Sequence, residues 1–537
     1  MNAVTHHRLA WFLLLSFVSL TSLCAQKSVS PVPYLTKKGR VTQLMVDNKP
    51  FLMIAGELHN SSSSTIEYMQ SIWGKLKDCH MNTVLAALTW EQFEPQEGTF
   101  DYTLINSMIK NAEENELKLV LLWFGTWKNG ESSYTPVWMK KDTKRFFRVK
   151  SKEGNNLETI SPFCDEAKKA DVKAMRALMK HLAEYDKNRT VIMIQPENEV
   201  GVFQEMDFCP QALEAFEKNQ VPEKLTTYLK KNKQSLKEEI KNAWLTNGQK
   251  KTGTWLEVFG DTPYTKEFFM AWQYATYLNE VAKNGKEEYP LPMFVNAWII
   301  QHPGQLPGQY PNGGPVSRVM DVYKAAAESI DILAPDIYLP DFKQVVSEYM
   351  RVDNPLLVPE SKYEPGRAFY AFAQCDALCF SIFAIDDMTD DVLLSRTYKV
   401  LEDLKPMILR YQGTGNMAGF LKYKDEKETT LSFKGYDFRI VYEKNNAPAY
   451  GLIIQTDKDE FLVAGLNARA YVSSANPSKT AYLLQTWEGS YKQGEWLPSR
   501  LLNGDETLHN STLFISGRWK QGIRVPAIYR VSVYTRD

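Results

Sequence analysis

Between residues 51 and about 405 the chain repeats one pattern: a short apolar run, then a stretch whose apolar residues fall three and four apart. The runs are 51–55, 83–88, 118–123, 190–194, 293–298, 332–338, 356–358 and 378–384. Helical spacing follows in segments such as 66–76, 104–113, 167–183 and 319–327. Eight buried strands, each followed by a helix, predict a closed (β/α)8 TIM barrel of the α/β class, because a strand covered on both faces reads as a near-continuous apolar run. A doubly wound open sheet is the competing topology. It calls for a glycine-rich turn after the first strand, and residues 55–61 read Ala-Gly-Glu-Leu-His-Asn-Ser instead.

Two connections are long, about 125–166 after the third strand and 201–290 after the fourth. Insertions at strand C-termini lie over the mouth of a barrel and shape it. The lysine-rich run 230–241 reads as a solvated helix face. Beyond about residue 410 the pattern shortens to alternating strands at 429–434, 438–442, 450–456, 460–466 and 523–534, with turn formers at Asn445-Asn446 and Asn503-Gly504-Asp505. The expected division is 1–25, a signal peptide; 26–409, the barrel; and 410–537, a smaller all-β domain of sandwich type. In that domain Trp487, Tyr491 and Trp496 are expected to pack against the barrel rather than to bind glycan.

The start of the chain carries Arg8, an apolar stretch to Leu23, then Cys24-Ala25, the layout of a secretory signal cleaved after Ala25. Export to the periplasm or the cell exterior is expected. Lipid anchoring at Cys24 is the lesser alternative, since bulky Leu23 precedes it. Charge is balanced, 63 Lys and Arg against 64 Asp and Glu, which argues against a nucleic-acid or anionic-membrane partner. The cysteines beyond the signal, Cys79, Cys164, Cys209, Cys375 and Cys379, show no disulfide framework or zinc spacing, and the seven histidines are scattered. Buried thiols are expected, with no metal or other cofactor.

The chemistry concentrates at two strand ends. The fourth run stops on Gln195-Pro196-Glu197-Asn198-Glu199 and the seventh on Pro359-Glu360, at the rim where barrel enzymes react. Paired carboxylates are what glycosidic cleavage requires, one to protonate the leaving oxygen and one to attack or to activate water. Glu197 and Glu364 are rivals. Glu197 lacks a preceding asparagine, and Glu364 lies in a loop four residues past the strand end.

At these residues the sequence resembles clan A of the glycoside hydrolases, whose acid/base follows an asparagine ending strand four and whose nucleophile ends strand seven. Within the clan it is similar to family 35, the retaining β-galactosidases, in the bacterial branch with a small C-terminal β domain. The residues that carry the likeness are 195–201, Trp90 with Glu94-Pro95, 122–129, 331–338 and 358–360. The resemblance implies Glu199 as acid/base, Glu360 as nucleophile, Asn198 on the sugar 2-hydroxyl, and an oligosaccharide or polysaccharide-derived substrate cut from its galactose end. Trp90, Trp123, Trp298 and Tyr338, at the ends of strands two, three, five and six, are candidate subsite walls. Glu57 and Asp386 are further rim carboxylates for sugar hydroxyls. The second strand departs from the tyrosine and Asn-x-His-Glu-Pro pattern of the mammalian and plant branches, which leaves the galactose-selecting contacts unassigned. Another clan A β-glycosidase or endo-glycanase stays open, as does a noncatalytic exported glycan-binding protein.

Overall fold

The computed structural model describes residues 30–443, 447–492 and 494–537; the expected signal segment, Cys24 and the Asn445-Asn446 turn lie outside them. Eight parallel strands close on themselves: Met53–Glu57, Thr83–Thr89, Lys118–Lys128, Val191–Asn198, Phe294–Trp298, Ile332–Asp336, Leu357–Val358 and Cys379–Ile382. Ladders join the first to fourth strands, the fifth to the sixth, and the seventh through the eighth back to the first. Single parallel bridges, Ile194 with Met293 and Ile337 with Ser361, supply the two remaining seams. All eight expected runs are barrel strands.

Alternation along most strands, though not the fourth, where Ile192 and Met193 are both inside, sorts the core into two layers. Leu85, Ala87, Val120, Leu122, Phe124 and Phe294 share one cluster inside the barrel. Val84, Ala86, Leu88, Leu119, Leu121 and Trp123 belong to the layer between strands and helices. On those strands every second side chain thus points toward the barrel axis, as the pleat requires. An antiparallel hairpin that the sequence pattern did not announce, Tyr34–Lys38, Val41–Val46 and Lys49–Phe51, adds Leu44 and Val46 to the inner cluster. It takes Phe51, so the first barrel strand starts at Met53 rather than at residue 51.

The helix expected at 66–76 is two short ones, Ile66–Gln70 and Trp73–Asp78. The third connection holds the hairpin of Arg148–Lys150 with Asn156–Ile160, and the fourth holds five helices ending in Thr265–Glu288. The helix Val392–Tyr411 follows the eighth strand and runs across residue 409. After it, a six-stranded and a four-stranded antiparallel sheet face each other across a core that includes Phe438, Ile453, Phe461, Val463 and Val531, a β-sandwich. The run expected at 523–534 is broken at Pro526 into Ile523–Val525 and Ala527–Arg536, which join different sheets; proline has no amide hydrogen to give a ladder.

The sandwich's larger sheet is covered on both faces, since Leu452, Ile454, Leu462 and Ala464 join the barrel's own core cluster. Tyr491 and Trp496 pack against that same cluster, and Trp487 is half-buried. The five cysteines from Cys79 on are all buried. Among the described residues no helix is long and apolar enough to cross a membrane.

Candidate active site

The fourth strand leaves regular β geometry where its polar residues begin. Glu197 and Glu199 have φ of 63° and 44°, values that side-chain-bearing residues rarely adopt. The two kinks send alternate carboxylates to opposite sides. Glu197 turns behind the strand, where its oxygens accept the backbone N–H groups of Thr126 at 3.0 Å and Trp127 at 2.5 Å. Glu199 turns into the mouth, its own N–H held by Asn296 Oδ1 at 3.0 Å and its carbonyl by the Gly130 N–H at 3.0 Å.

Around Glu199 lies a cavity of about 420 Å³ whose walls include Glu360, Asp336, Lys128, Trp298 and Tyr338. One carboxylate oxygen from each of Glu199, Asp336 and Glu360 lies within 4.8 Å of the others. The Tyr338 hydroxyl donates to Glu360 Oε2 at 2.6 Å, and Asn296 Nδ2 stands 3.4 Å from Oε1 and donates to Asp336 at 2.8 Å. Lys128 donates to Asn198 Oδ1 at 2.8 Å. Asn198 Nδ2, both oxygens of Glu57, Asp336 Oδ1 and Asn60 Oδ1 are buried with no protein partner. Orphaned polar atoms of this kind suit a hydroxyl-rich guest.

Electrostatics divides the acids. Burial first, then the charge of Glu360, pushes Glu199 up to about 7, against the opposing pull of Lys128. Glu57 and Asp336 are held well above the usual carboxylate range, by burial and then by Glu360. An oxygen of Asp336 lies within 4.8 Å of one of Glu199, and buried carboxyls this close resist ionising together. Lys128 answers the cluster: burial works to strip its proton, yet Glu360, Glu199, Glu57 and Asp336 outweigh burial and raise its pKa. The Glu199, Asp336 and Glu360 oxygens are close enough to ligate a divalent ion, and the Lys128 ammonium already offers positive charge at that spot.

The expected site residues separate into two groups. Glu199, Glu360, Trp298 and Tyr338 line the cavity, and Asn198 and Glu57 are buried beside it with atoms free to bind. Trp90 and Trp123 are corrections. Both are fully buried and pack on each other, 6.1 Å between ring centroids, in the strand–helix layer. Their indole N–H groups are taken by Glu94 at 2.7 Å and Asp171 at 2.9 Å. The reason is parity: Trp123 shares its face with Leu119 and Leu121, which point away from the axis. Asp386 is a third correction. It accepts from the His59 N–H at 3.1 Å and Ser62 Oγ at 2.6 Å, so it fixes the loop after the first strand and does not line the cavity. The rival Glu364 pairs with Lys362 and Arg367 at 2.6 Å each.

Sequence reasoning assigned no role to Lys128, Asn296 or Asp336. For the last two a signal existed: Asn296 and Asp336 share the inward face with Phe294, Ile332 and Ala334, and polar residues there have only the mouth to serve. Lys128 has the parity of Val120, Leu122 and Phe124, but the count is no guide there, since Thr126 on the same count bonds Asp171 on the helix side. The third strand slips register against the fourth between Trp123 and Lys128, and parity fails across a bulge.

Residues 60–266 match the family 42 glycoside hydrolase model, described as "Beta-galactosidase", and residues 394–513 match a model described as "Domain of unknown function (DUF5597)". A β-galactosidase of Xanthomonas manihotis is 26% identical over 183 residues, 33% of this chain and 28% of that protein. "Beta-galactosidase 11" of Arabidopsis thaliana is 29% identical over 119 residues, 21% of this chain and 14% of that protein. The chain thus spans less than a third of the length of either relative. Among solved structures, the β-galactosidase from Bacillus circulans sp. alkalophilus superposes with a TM-score of 0.45 at 14% identity, over 67% of this chain and 57% of that one. The family model and the two relatives support a glycoside hydrolase of clan A; the family whose model matches is 42, not the expected 35.

Proposed function

We propose that the protein is an exo-acting retaining β-galactosidase that releases terminal β-galactose from oligosaccharides by double displacement, with Glu360 as nucleophile and Glu199 as acid/base. The observation that carries this reading is the close approach of the two carboxylates, one oxygen of each lying within 4.8 Å of the other. Retaining enzymes hold them about 5–5.5 Å apart, whereas inverting enzymes need roughly 6.5–9.5 Å to admit a water. The family 42 match and the two β-galactosidase relatives support the sugar; the motifs around Glu199 and Glu360 favour family 35, and the same two carboxylates serve in either family.

In the first step Glu360 attacks the anomeric carbon while Glu199, carrying its proton, protonates the departing oxygen. Tyr338 orients Glu360 through the 2.6 Å bond to Oε2, leaving the other oxygen to react. Esterification removes the charge of Glu360, one of the two causes that raise Glu199. Glu199 then becomes a stronger acid and, once ionised, draws a proton from the attacking water. Asn198 Nδ2, unpartnered and buried, is assigned to the 2-hydroxyl. The basic and apolar start at residues 8–25 supports action outside the cytoplasm.

The test is hydrolysis of nitrophenyl β-galactoside beside the gluco, manno and fuco analogues, in the wild type and in Glu199→Gln and Glu360→Gln. Galactoside turnover that falls by at least about 10³-fold in Glu360→Gln, with the β anomer formed first by NMR, is the expected result. Fastest turnover of another sugar replaces the substrate and keeps the mechanism. The α anomer formed first, or activity surviving in Glu360→Gln, overturns the assignment of the residues.

A further inference from the structure

We infer that Glu197 and Asp171 form a proton-sharing strut behind the fourth strand, whose task is to hold the Glu199 carboxyl at the leaving-group oxygen; the inference rests on Glu199 being the acid/base. Both side chains are fully buried, at 1% and 0% exposure, and they meet at Thr126, whose N–H bonds Glu197 and whose hydroxyl bonds Asp171, near enough for each carboxyl to act on the other. Five donors surround the pair. Glu197 receives the N–H groups of Thr126 and Trp127. Asp171, from the helix Asp165–Tyr185, receives Trp123 Nε1 at 2.9 Å, Thr126 Oγ1 at 3.1 Å and the Tyr277 hydroxyl at 3.2 Å.

None of the leading groups that act on either carboxyl is a cation. Two adjacent carboxyls that are both fully buried resist ionising together, so the pair keeps one proton between them. The result is a charge-assisted carboxyl–carboxylate bond, stronger and more directional than a neutral one. No sugar reaches it, because the pair lies on the helix side of the barrel wall with Trp123.

Its place in the chain gives it a purpose. Glu197 holds the first of the two left-handed residues that bring Glu199 into the mouth, and conformations of this kind persist only where surrounding contacts over-determine them. The strut ties that residue to the third strand at Thr126 and Trp127, and through Asp171 to a helix. The space behind is filled: a Cβ on Gly125 would stand 2.4 Å from Glu197 Oε1. With the tie cut, residue 197 is free to relax toward extended backbone. Glu199 then swings off its line while Glu360, held independently by Tyr338 and Asn296, stays in position.

A misplaced acid with an intact nucleophile has a kinetic signature. Substrates whose leaving group needs a proton suffer, and those whose leaving group departs unaided do not. The experiment compares kcat/KM for a methyl or disaccharide glycoside with that for a dinitrophenyl glycoside of the sugar the wild type cleaves, in Glu197→Ala, Glu197→Gln and the reference Glu199→Ala. In Glu197→Ala we expect about a 100-fold loss on the poor leaving group, within the range that acid catalysis supplies, and only a few-fold loss on the dinitrophenyl glycoside. Glu197→Gln keeps a donor to Asp171 but an acceptor for only one of the two amides, which bond separate oxygens, so it should recover about 10-fold of the loss on the poor leaving group. If Glu197→Ala does not fold, Asp171→Ala carries the same expectation. Equal losses on both substrates, no loss on the poor one, or a Gln variant as impaired as the Ala variant would overturn the strut. A Glu199→Ala reference that lacks the signature would instead overturn the acid/base assignment on which it rests.

Discussion

Glu199 can serve as an acid only while it holds its proton, and its elevation to about 7, by burial and then by Glu360, sets where that ends. kcat/KM on a substrate with a poor leaving group should therefore fall on the alkaline side with a midpoint near pH 7. Lys128 opposes the elevation. Replacing it with methionine removes a cation that favours ionised Glu199, so the alkaline midpoint should move up, by about a unit or more, even as overall activity drops through the lost contact to Asn198. A midpoint that stays put or moves down would show that Lys128 does not act on Glu199 by charge. Tyr338 gives a second residue-scale expectation. Tyr338→Phe deletes the 2.6 Å donor to Glu360 and should lower kcat by about 10–100-fold, as loss of a charge-assisted bond does, with KM little changed; a rise in KM alone would make Tyr338 a binding wall instead.

The strands were the most legible elements, because burial on both faces compels an unbroken apolar run. Their ends were half legible. Counting by twos from Phe294 puts Trp298 in the mouth, and counting by twos from Leu119 puts Trp123 on the helix side, so parity alone separates those two tryptophans. Counting by twos from Phe124 fails at Thr126, within the register slip, where the hydroxyl bonds Asp171 on the helix side, and at Glu197 and Glu199, where the backbone turns left-handed. These irregular stretches carry the chemistry, and no local pattern encodes them. The hairpin at 34–51 was missed for a different reason: it is short and only its Leu44 side is apolar enough to register as core. The slip depends on Gly125. Its missing side chain leaves room for the Trp123 indole and the Glu197 carboxyl, which a Cβ would approach to 2.3 and 2.4 Å. Gly125→Ala should cost about 1–3 kcal/mol by overpacking and depress turnover with it. A stable, fully active variant, judged by thermal melt and nitrophenyl glycoside assay, would mean that the bulge absorbs the methyl and does not set the site.

Taken across the molecule, the site is a stored electrostatic cost. Glu57, Glu197, Glu199 and Asp336 all have folded-state pKa values raised above their ordinary values, with burial the largest cause in each. In the unfolded chain such groups ionise near pH 4 to 4.5, while the native state keeps their protons. Above that pH the unfolded state binds fewer protons than the native one, so stability falls as pH rises, through about 7 in the case of Glu199. Each pH unit inside a group's window removes about 1.4 kcal/mol. The opposite sign operates at the acid end. Glu402 is lowered to about 2 by its bonds to His80 and Lys399, so its contribution is lost as pH falls from about 4.5 toward 2, discounted for its partial exposure. The thermal midpoint should therefore peak near pH 5 and decline toward pH 8. Asp336→Asn makes the cause visible: it removes one raised acid while keeping an acceptor for Asn296 and a donor toward Glu199. The midpoint should rise by several degrees at pH 8, change little at pH 5, and come with a large loss of activity, the exchange expected where function holds charge in a poor solvent. An equal gain at both pH values would assign the effect to packing, and a loss at pH 8 would mean that the buried acids stabilise this fold rather than burden it.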